Sequence, residues 1–272
     1  MPTVTEHHVP VEGADLYVKE AGTGPPLLLI HGSGINADTW RPIFDDLARD
    51  FRVVAYDRRG FSRSHGKPTA RWQVHGSDAA AVVRSMDAGP VAVVGWSSGG
   101  IVALDLAVAE PRLVSHPVLL EPPLHAIKHL DRTQVRAFLR SQIAARRRGP
   151  AAGVVVFMEY TCGYRGGGSL WADYPQENKD TLRANSAGLL VELRAARRDR
   201  HLNARALGRL TVPVTIAYGA RTQLYFERCA KAAAKLVPGA ELRTIPGANH
   251  ALGTSAPEET ATLIRAAVSS PG

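Results

Sequence analysis

The stretch Val91-Ala92-Val93-Val94-Gly95-Trp96-Ser97-Ser98-Gly99-Gly100-Ile101-Val102-Ala103-Leu104 decides the fold. Residues 91–94 read as a short buried strand, and 101–109 as a helix entered within a few residues of it. The turn between them holds Gly95-Trp96-Ser97-Ser98-Gly99, a G-x-S-x-G pattern. A serine at so sharp a strand-to-helix turn must take up strained backbone angles, and the flanking glycines let strand and helix approach. The Ser97 hydroxyl is thereby pushed into the open at a helix N-terminus, where free N–H groups and the helix dipole favour developing negative charge.

Working outward, the same alternation recurs. Residues 27–30 and 51–56 read as strands, with a helix at 40–47 between them and another at 72–86 leading back to 91–94. Residues 117–120 form a further strand ending at Glu121. Near the end come a strand at 214–218, a helix at 226–236, a strand at 241–245 and a helix at 257–268. Two early strands, 3–11 and 15–20, meet at Glu12-Gly13-Ala14 as a hairpin. Such alternation implies an α/β fold, a mostly parallel sheet with helices on both faces.

The chain has 272 residues, 45% of them hydrophobic, enough for a substantial core and too many for a disordered chain. Its apolar runs, such as 27–30 and 154–158, fall far short of the roughly 20 residues that span a bilayer. No basic segment followed by an apolar core opens the sequence, so a cytoplasmic location and no membrane partner are expected. Cys162 and Cys229 form neither a disulfide framework nor a zinc pair, and read as packed thiols. The net charge of +8 lies in one place: residues 122–208 hold 15 Lys and Arg against 7 Asp and Glu, while the rest of the chain holds 18 of each. That segment reads as helical, with Val135, Phe138, Leu139 and Ile143 recurring at helical spacing. We therefore expect a core of residues 1–121 and 209–272 with a helical insertion at 122–208. So local a charge does not suggest nucleic acid as a partner.

A second chemical motif, His31-Gly32-Ser33-Gly34, ends the strand at 27–30. A Gly-rich loop at a strand's carboxyl end turns N–H groups toward a neighbouring site, so the amides of Ser33 and Ser98 are candidates for an oxyanion hole. His31 itself reads as structural.

On these motifs the chain resembles the α/β-hydrolase superfamily over nearly its whole length. Asp57-Arg58-Arg59-Gly60-Phe61-Ser62-Arg63-Ser64 is similar to that family's signature after the fourth strand, with Ser62 where Gly is usual and Asp57 structural. The segment Pro246-Gly247-Ala248-Asn249-His250 resembles the one that carries the family's base, which implies that His250 takes the Ser97 proton and returns it to the leaving group. The other histidines, among them His75, His116 and His201, are expected on surfaces or near the insertion.

The acid departs from the pattern. In most of the superfamily it lies three residues beyond the Gly that ends the strand at 214–218, which here is Thr222. The other placement known in the family is the end of the preceding strand, where this chain has Glu121; Glu227 is the fallback. A carboxylate is needed to fix the histidine tautomer and to stabilise its charged form.

Ser97 argues against the branches that use Asp at the elbow, haloalkane dehalogenases and related epoxide hydrolases, and leaves acyl chemistry. The resemblance implies a serine hydrolase cleaving an ester, thioester or lactone, with the insertion as a lid and no metal or organic cofactor. Biosynthetic acyl transfer or cyclisation, C–C bond hydrolysis, and a non-catalytic ligand-binding protein on the same fold stay open. Arg132, Arg136 and Arg140 line one side of a lid helix, and Arg146, Arg147 and Arg148 close it. They read as a solvated face or as an attractor for an anionic or carrier-linked small-molecule acyl substrate.

Overall fold

The structure, a computed structural model, describes residues 2–193 and 199–269. Strands β1 (Thr5–Val11) and β2 (Ala14–Ala21) form the hairpin, followed by β3 (Pro26–Ile30), helix α1 (Arg41–Leu47), β4 (Arg52–Tyr56) and the short β5 (His65–Gly66). Then come α2 (Trp72–Ser85), β6 (Val91–Trp96), α3 (Ser98–Ala109) and β7 (Val114–Leu120). Helices α4 (Arg132–Arg148), α5 (Pro150–Thr161), α6 (Gln176–Ala184), α7 (Ser186–Leu193) and α8 (Ala204–Leu207) follow. The chain returns to the sheet with β8 (Thr215–Gly219), α9 (Leu224–Leu236), β9 (Glu241–Ile245), α10 (Leu252–Ser255) and α11 (Pro257–Ser269).

The strand order is β1-β2-β4-β3-β6-β7-β8-β9, with β5 on β2; β2 runs antiparallel to its neighbours and the rest of the path is parallel. The central strands are apolar throughout because both faces are covered. Leu27, Leu29, Val94 and Leu120 pack with α1 and α11 on one side, while Leu28, Ile30, Val93 and Leu119 pack with α2, α3 and α9 on the other.

Among the boundaries that differ from the sequence reading, those around Ser97 and at the start of β7 have physical reasons. Strand β6 runs on to Trp96 and α3 starts at Ser98, so Ser97 alone makes the turn. Strand β7 begins at Val114, three residues before the Pro117 taken as its start. Pro117 has no N–H, but β8 pairs only with 118–120, and a register shift at Val91/Ala92 adjusts the β6 side. His116 is a correction too: it is buried in β7 and hydrogen-bonded to Thr215 Oγ1 at 2.9 Å.

The segment between β7 and β8 is helical. Residues 194–198, with Arg194, Arg197 and Arg198, lie outside the described residues. On α4 the buried positions are Gln134, Ala137, Ser141 and Ala144, while Val135, Phe138, Leu139 and Ile143 are exposed. The apolar stripe read from the sequence thus faces away from the core.

Candidate active site

The turn around Ser97 leaves no room for side chains two residues before and two residues after it. A Cβ on Gly95 would stand 2.4 Å from the carbonyl oxygen of Gly99, and one on Gly99 would stand 2.2 Å from that of Ile30. Ser97 itself has φ 54° and ψ −124°, a strained conformation held by its N–H donating to Leu120 O at 2.8 Å. The strain projects Oγ toward the loop after β9, where His250 Nε2 lies 3.1 Å away.

The other imidazole nitrogen, Nδ1, is 2.5 Å from Glu121 Oε2. Nδ1 therefore carries the proton, donated to the carboxylate, and Nε2 is free to accept from Ser97. Glu121 follows β7 directly, with a positive φ of 51° and full burial. Its Oε1 accepts the Gly219 N–H at 2.8 Å, and its Oε2 also accepts the Thr222 hydroxyl at 3.0 Å. Thr222, at the position where the family's acid is usual, thus donates to the Glu121 carboxylate across from it. Glu227 sits apart on α9, paired with Arg165 and Lys231.

His250 is held by more than Ser97 and Glu121. Its carbonyl accepts the Trp96 indole N–H at 2.7 Å, and the Phe226 ring stacks on the imidazole with centroids 3.7 Å apart and planes 14° from parallel. Sequence reading missed both contacts, because neither the 154-residue separation of the first nor the stacking leaves a local pattern.

The loop 31–34 brings Ser33 beside Ser98, with Oγ atoms 2.8 Å apart. Ser98 is the first residue of α3, so its N–H has no acceptor within the helix. His31 is wholly buried: Nδ1 donates to Gly32 O at 2.7 Å and Nε2 accepts the Arg58 N–H at 2.8 Å. Burial, reinforced by the Arg58 charge, lowers its pKa to about 3, so the ring is a neutral strut. Asp57 is likewise structural, accepting the Ala37 N–H at 2.8 Å and the Arg63 N–H at 3.0 Å. Ser62, at φ 47°, occupies the left-handed region that explains why Gly is usual there. Its N–H and hydroxyl are both bonded to the Asn185 side chain, at 3.0 and 2.9 Å.

Ser97, Ser33, Ser98 and His250 open on a cavity of about 370 Å³. Its wall is mostly apolar, with Trp96, Phe138, Leu139, Phe157 and Phe226 among the larger groups. Among the described residues no Lys or Arg lines it; its ionisable groups are Glu192, Asp199, Tyr225 and His250. Arg132, Arg136 and Arg140 are exposed on α4 and stand outside the lining. No group of three His, Cys, Asp or Glu among the described residues is arranged to hold a metal ion.

The chain matches the profile of the alpha/beta hydrolase family over residues 27–263. It belongs to that family. Among curated proteins, this alpha/beta hydrolase is similar to an uncharacterized hydrolase of Bacillus subtilis, YraK, with 35% identity over 130 residues, 47% of this chain and 48% of that one. The chain spans about half, or less, of the length of the curated relatives it matches. A bromoperoxidase from Bacillus anthracis superposes with a TM-score of 0.80 at 20% identity, covering 98% of this chain and 100% of that one. A thermophilic esterase from Thermogutta terrifontis does so with a TM-score of 0.75 at 23% identity, covering 96% and 97%. At these identities the likeness is one of fold. Among the described residues of this alpha/beta hydrolase no helix is long and apolar enough to cross a membrane.

Proposed function

We propose that this chain is a serine hydrolase that cleaves carboxylic esters with uncharged, apolar acyl or alcohol groups through an acyl-serine at Ser97. The observation that carries the reading is the unbroken run from Ser97 Oγ to His250 Nε2 and from His250 Nδ1 to the buried Glu121 carboxylate. As Ser97 Oγ attacks the ester carbonyl, its proton passes to His250 and the carbonyl oxygen becomes an oxyanion. The N–H groups of Ser33 and Ser98 receive that charge at the α3 N-terminus. Collapse of the adduct expels the alcohol, which takes the proton back from His250. Water then repeats the sequence on the acyl-serine.

The cavity supports the substrate class. Its described wall offers a carboxylate no cation, since Arg58 is taken up by Glu192, and it includes Asp199, so an anionic acyl group would be desolvated without a counter-charge. In this reading the helical segment 122–208 is a lid whose apolar stripe on α4 rims the cavity, and its arginines act only from outside.

The test is a fluorophosphonate labelling gel run beside p-nitrophenyl butyrate, hexanoate and hemisuccinate. Ser97→Ala should abolish labelling and lower kcat by about 10³-fold or more, leaving the residue that oxyanion stabilisation alone supplies. Neutral esters should be preferred to the hemisuccinate. Turnover that survives Ser97→Ala undiminished overturns the mechanism, and preference for the hemisuccinate overturns the substrate class.

A further inference from the structure

Behind Ser33 and Ser98 lies a buried ionic cluster that the triad does not use. Glu192, on α7 of the helical segment, is 3% exposed, and Arg58, in the turn after β4, is wholly buried. The two form a bidentate pair, Nη1 to Oε1 at 2.8 Å and Nη2 to Oε2 at 2.9 Å. His75 Nε2 approaches Oε1 at 3.2 Å. Burial alone would raise the Glu192 carboxyl, but the Arg58 charge and the hydrogen bonds from His75 and Arg58 hold it well below the usual carboxylate range.

The cluster reaches the candidate oxyanion hole through hydroxyls. Ser33 Oγ lies 2.5 Å from Glu192 Oε2 and 2.8 Å from Ser98 Oγ, while Arg58 Nη2 donates to Ser98 Oγ at 3.1 Å. A hydroxyl has one proton to give. The charged carboxylate is the stronger acceptor, so Ser33 donates to Glu192. Ser98 then donates to Ser33 while accepting from Arg58. Every proton in the chain is assigned in one direction, ending on Glu192.

A buried ion pair is weak evidence of stability, since apolar groups of the same volume commonly do as well. What apolar groups could not do here is fix the Ser33 and Ser98 side chains. Ser98 is also held by α3, but Ser33 stands in a turn between β3 and the next helical residues, where the Oγ bonds restrain it. Arg58 meanwhile balances a negative charge that would otherwise oppose an oxyanion nearby.

We propose that Glu192 is a positioning residue for the oxyanion hole, holding Ser33 through its hydroxyl so that the hole is in register only while α7 is docked on the core. The proposal rests on the reading of Ser33 and Ser98 as oxyanion donors. Glu192 touches no reacting atom; it acts through Ser33 and Ser98.

The experiment compares wild type, Ser33→Ala, Glu192→Gln and Asn185→Ala, each as the full chain. The readouts are kcat and KM on p-nitrophenyl butyrate, the Ki of an alkyl trifluoromethyl ketone, and the thermal midpoint. The ketone forms a hemiketal with Ser97 Oγ, its carbonyl oxygen becoming the anion as the serine proton moves to His250, so its affinity reads the hole directly. Ser33→Ala removes the tie but leaves the ion pair in place. It should lower kcat roughly 10- to 100-fold, in line with the loss of about 10²-fold for a misplacement near 1 Å, with KM little changed. The ketone Ki should rise in proportion to the fall in kcat/KM. Glu192→Gln should shift both in the same direction. Asn185→Ala cuts the bonds that tie the residue before α7 to Ser62 and to Ile35 O, and should lower the midpoint while weakening the ketone less than Glu192→Gln does.

An unchanged ketone Ki in Ser33→Ala overturns the proposal, as does a loss in Asn185→Ala equal to that in Glu192→Gln. Should Glu192→Gln fail to fold, because Arg58 is left uncompensated, Ser33→Ala decides alone. The two readings fail separately: loss of activity in Ser97→Ala with an unaltered Ki in Ser33→Ala removes the positioning role and leaves the hydrolase standing.

Discussion

Replacing Glu121 by Gln keeps the volume of the side chain and removes its charge, and the surrounding donors dictate how the amide sits. The Gly219 N–H, 2.8 Å from Oε1, requires an oxygen there. The amide nitrogen must then take the place of Oε2, facing both His250 Nδ1 and the Thr222 hydroxyl. An N–H₂ group aimed at Nδ1 turns the imidazole to the tautomer protonated at Nε2, which cannot accept from Ser97. The lost charge adds to this: an imidazolium and a carboxylate at about 4 Å attract by about 4 kcal/mol at an effective dielectric near 20. That alone is about 10³-fold in rate, and the wrong tautomer takes the expected loss in kcat toward about 10⁴-fold, with KM little changed. Glu227→Gln, which disturbs only the pairs with Arg165 and Lys231 on α9, should stay within a few-fold of wild type. Adding Thr222→Asp to Glu121→Gln should recover part of the loss, since the Thr222 hydroxyl already lies 3.0 Å from the Glu121 carboxylate. The assay is steady-state hydrolysis of p-nitrophenyl butyrate, with thermal midpoints to show that each variant is folded. Retention of more than about a tenth of wild-type kcat by folded Glu121→Gln, where the electrostatic argument requires about 10³-fold, would refute the reasoning. Equal losses in the two Gln variants would do the same.

His31 makes stability depend on pH. Its folded pKa, lowered to about 3, lies below the unfolded value near 6.5, so the unfolded chain binds the proton first and stability is lost as pH falls from about 6.5 toward 3, by about 1.4 kcal/mol per unit. Urea midpoints between about pH 7 and 4.5 should fall with that slope in wild type and fall less in His31→Gln; equal slopes would remove His31 as the cause. The α4 arginines should act only at long range. Reversing Arg136 and Arg140 to Glu should leave neutral short-chain esters within about twofold and lower kcat/KM for acidic acyl donors. For those donors kcat/KM should fall with salt as screening shortens below about 8 Å. Flat, equal salt profiles for the two substrate types would make the arginines a solvated face and nothing more.

Much of the fold was legible because its signals are local. A strand, a glycine-framed serine and a helix occupy fourteen consecutive residues, and both faces of the central strands are covered, so their apolar runs are continuous. Ser97, Glu121 and His250, which the structure brings within hydrogen-bond distance of one another, each follow a strand by a few residues. What stayed hidden depends on long-range pairing. Arg58 and Glu192 are 134 residues apart, and no spacing rule joins them. Periodicity found the stripe of Val135, Phe138, Leu139 and Ile143 but could not say what it faces, since a cavity wall and a core ask for the same residues. Thr222 was read only as a position without a carboxylate, when its hydroxyl donates to the Glu121 carboxylate.

In the proposed mechanism, placing the acid at Glu121 also changes what the helical segment is attached to. Strands β7 and β8 are parallel neighbours with Leu120 opposite Ala217, so their carboxyl ends lie side by side and a carboxylate from either reaches the loop that carries His250. With the acid on β7, Glu121 is the last residue before Pro122-Pro123 and the helices begin, and its left-handed backbone is fixed by its N–H donating to Ala217 O at 2.8 Å. The segment therefore leaves the core at the group that orients His250, and α7 returns to the core at Glu192, which touches Ser33. A rearrangement that pulls on 122–124 strains the acid; one that lifts α7 frees the Ser33 hydroxyl. In a chain whose acid followed β8, only the second coupling would exist, so moving the carboxylate one strand ties both the histidine and the anion-binding side of the site to the seating of the same helices.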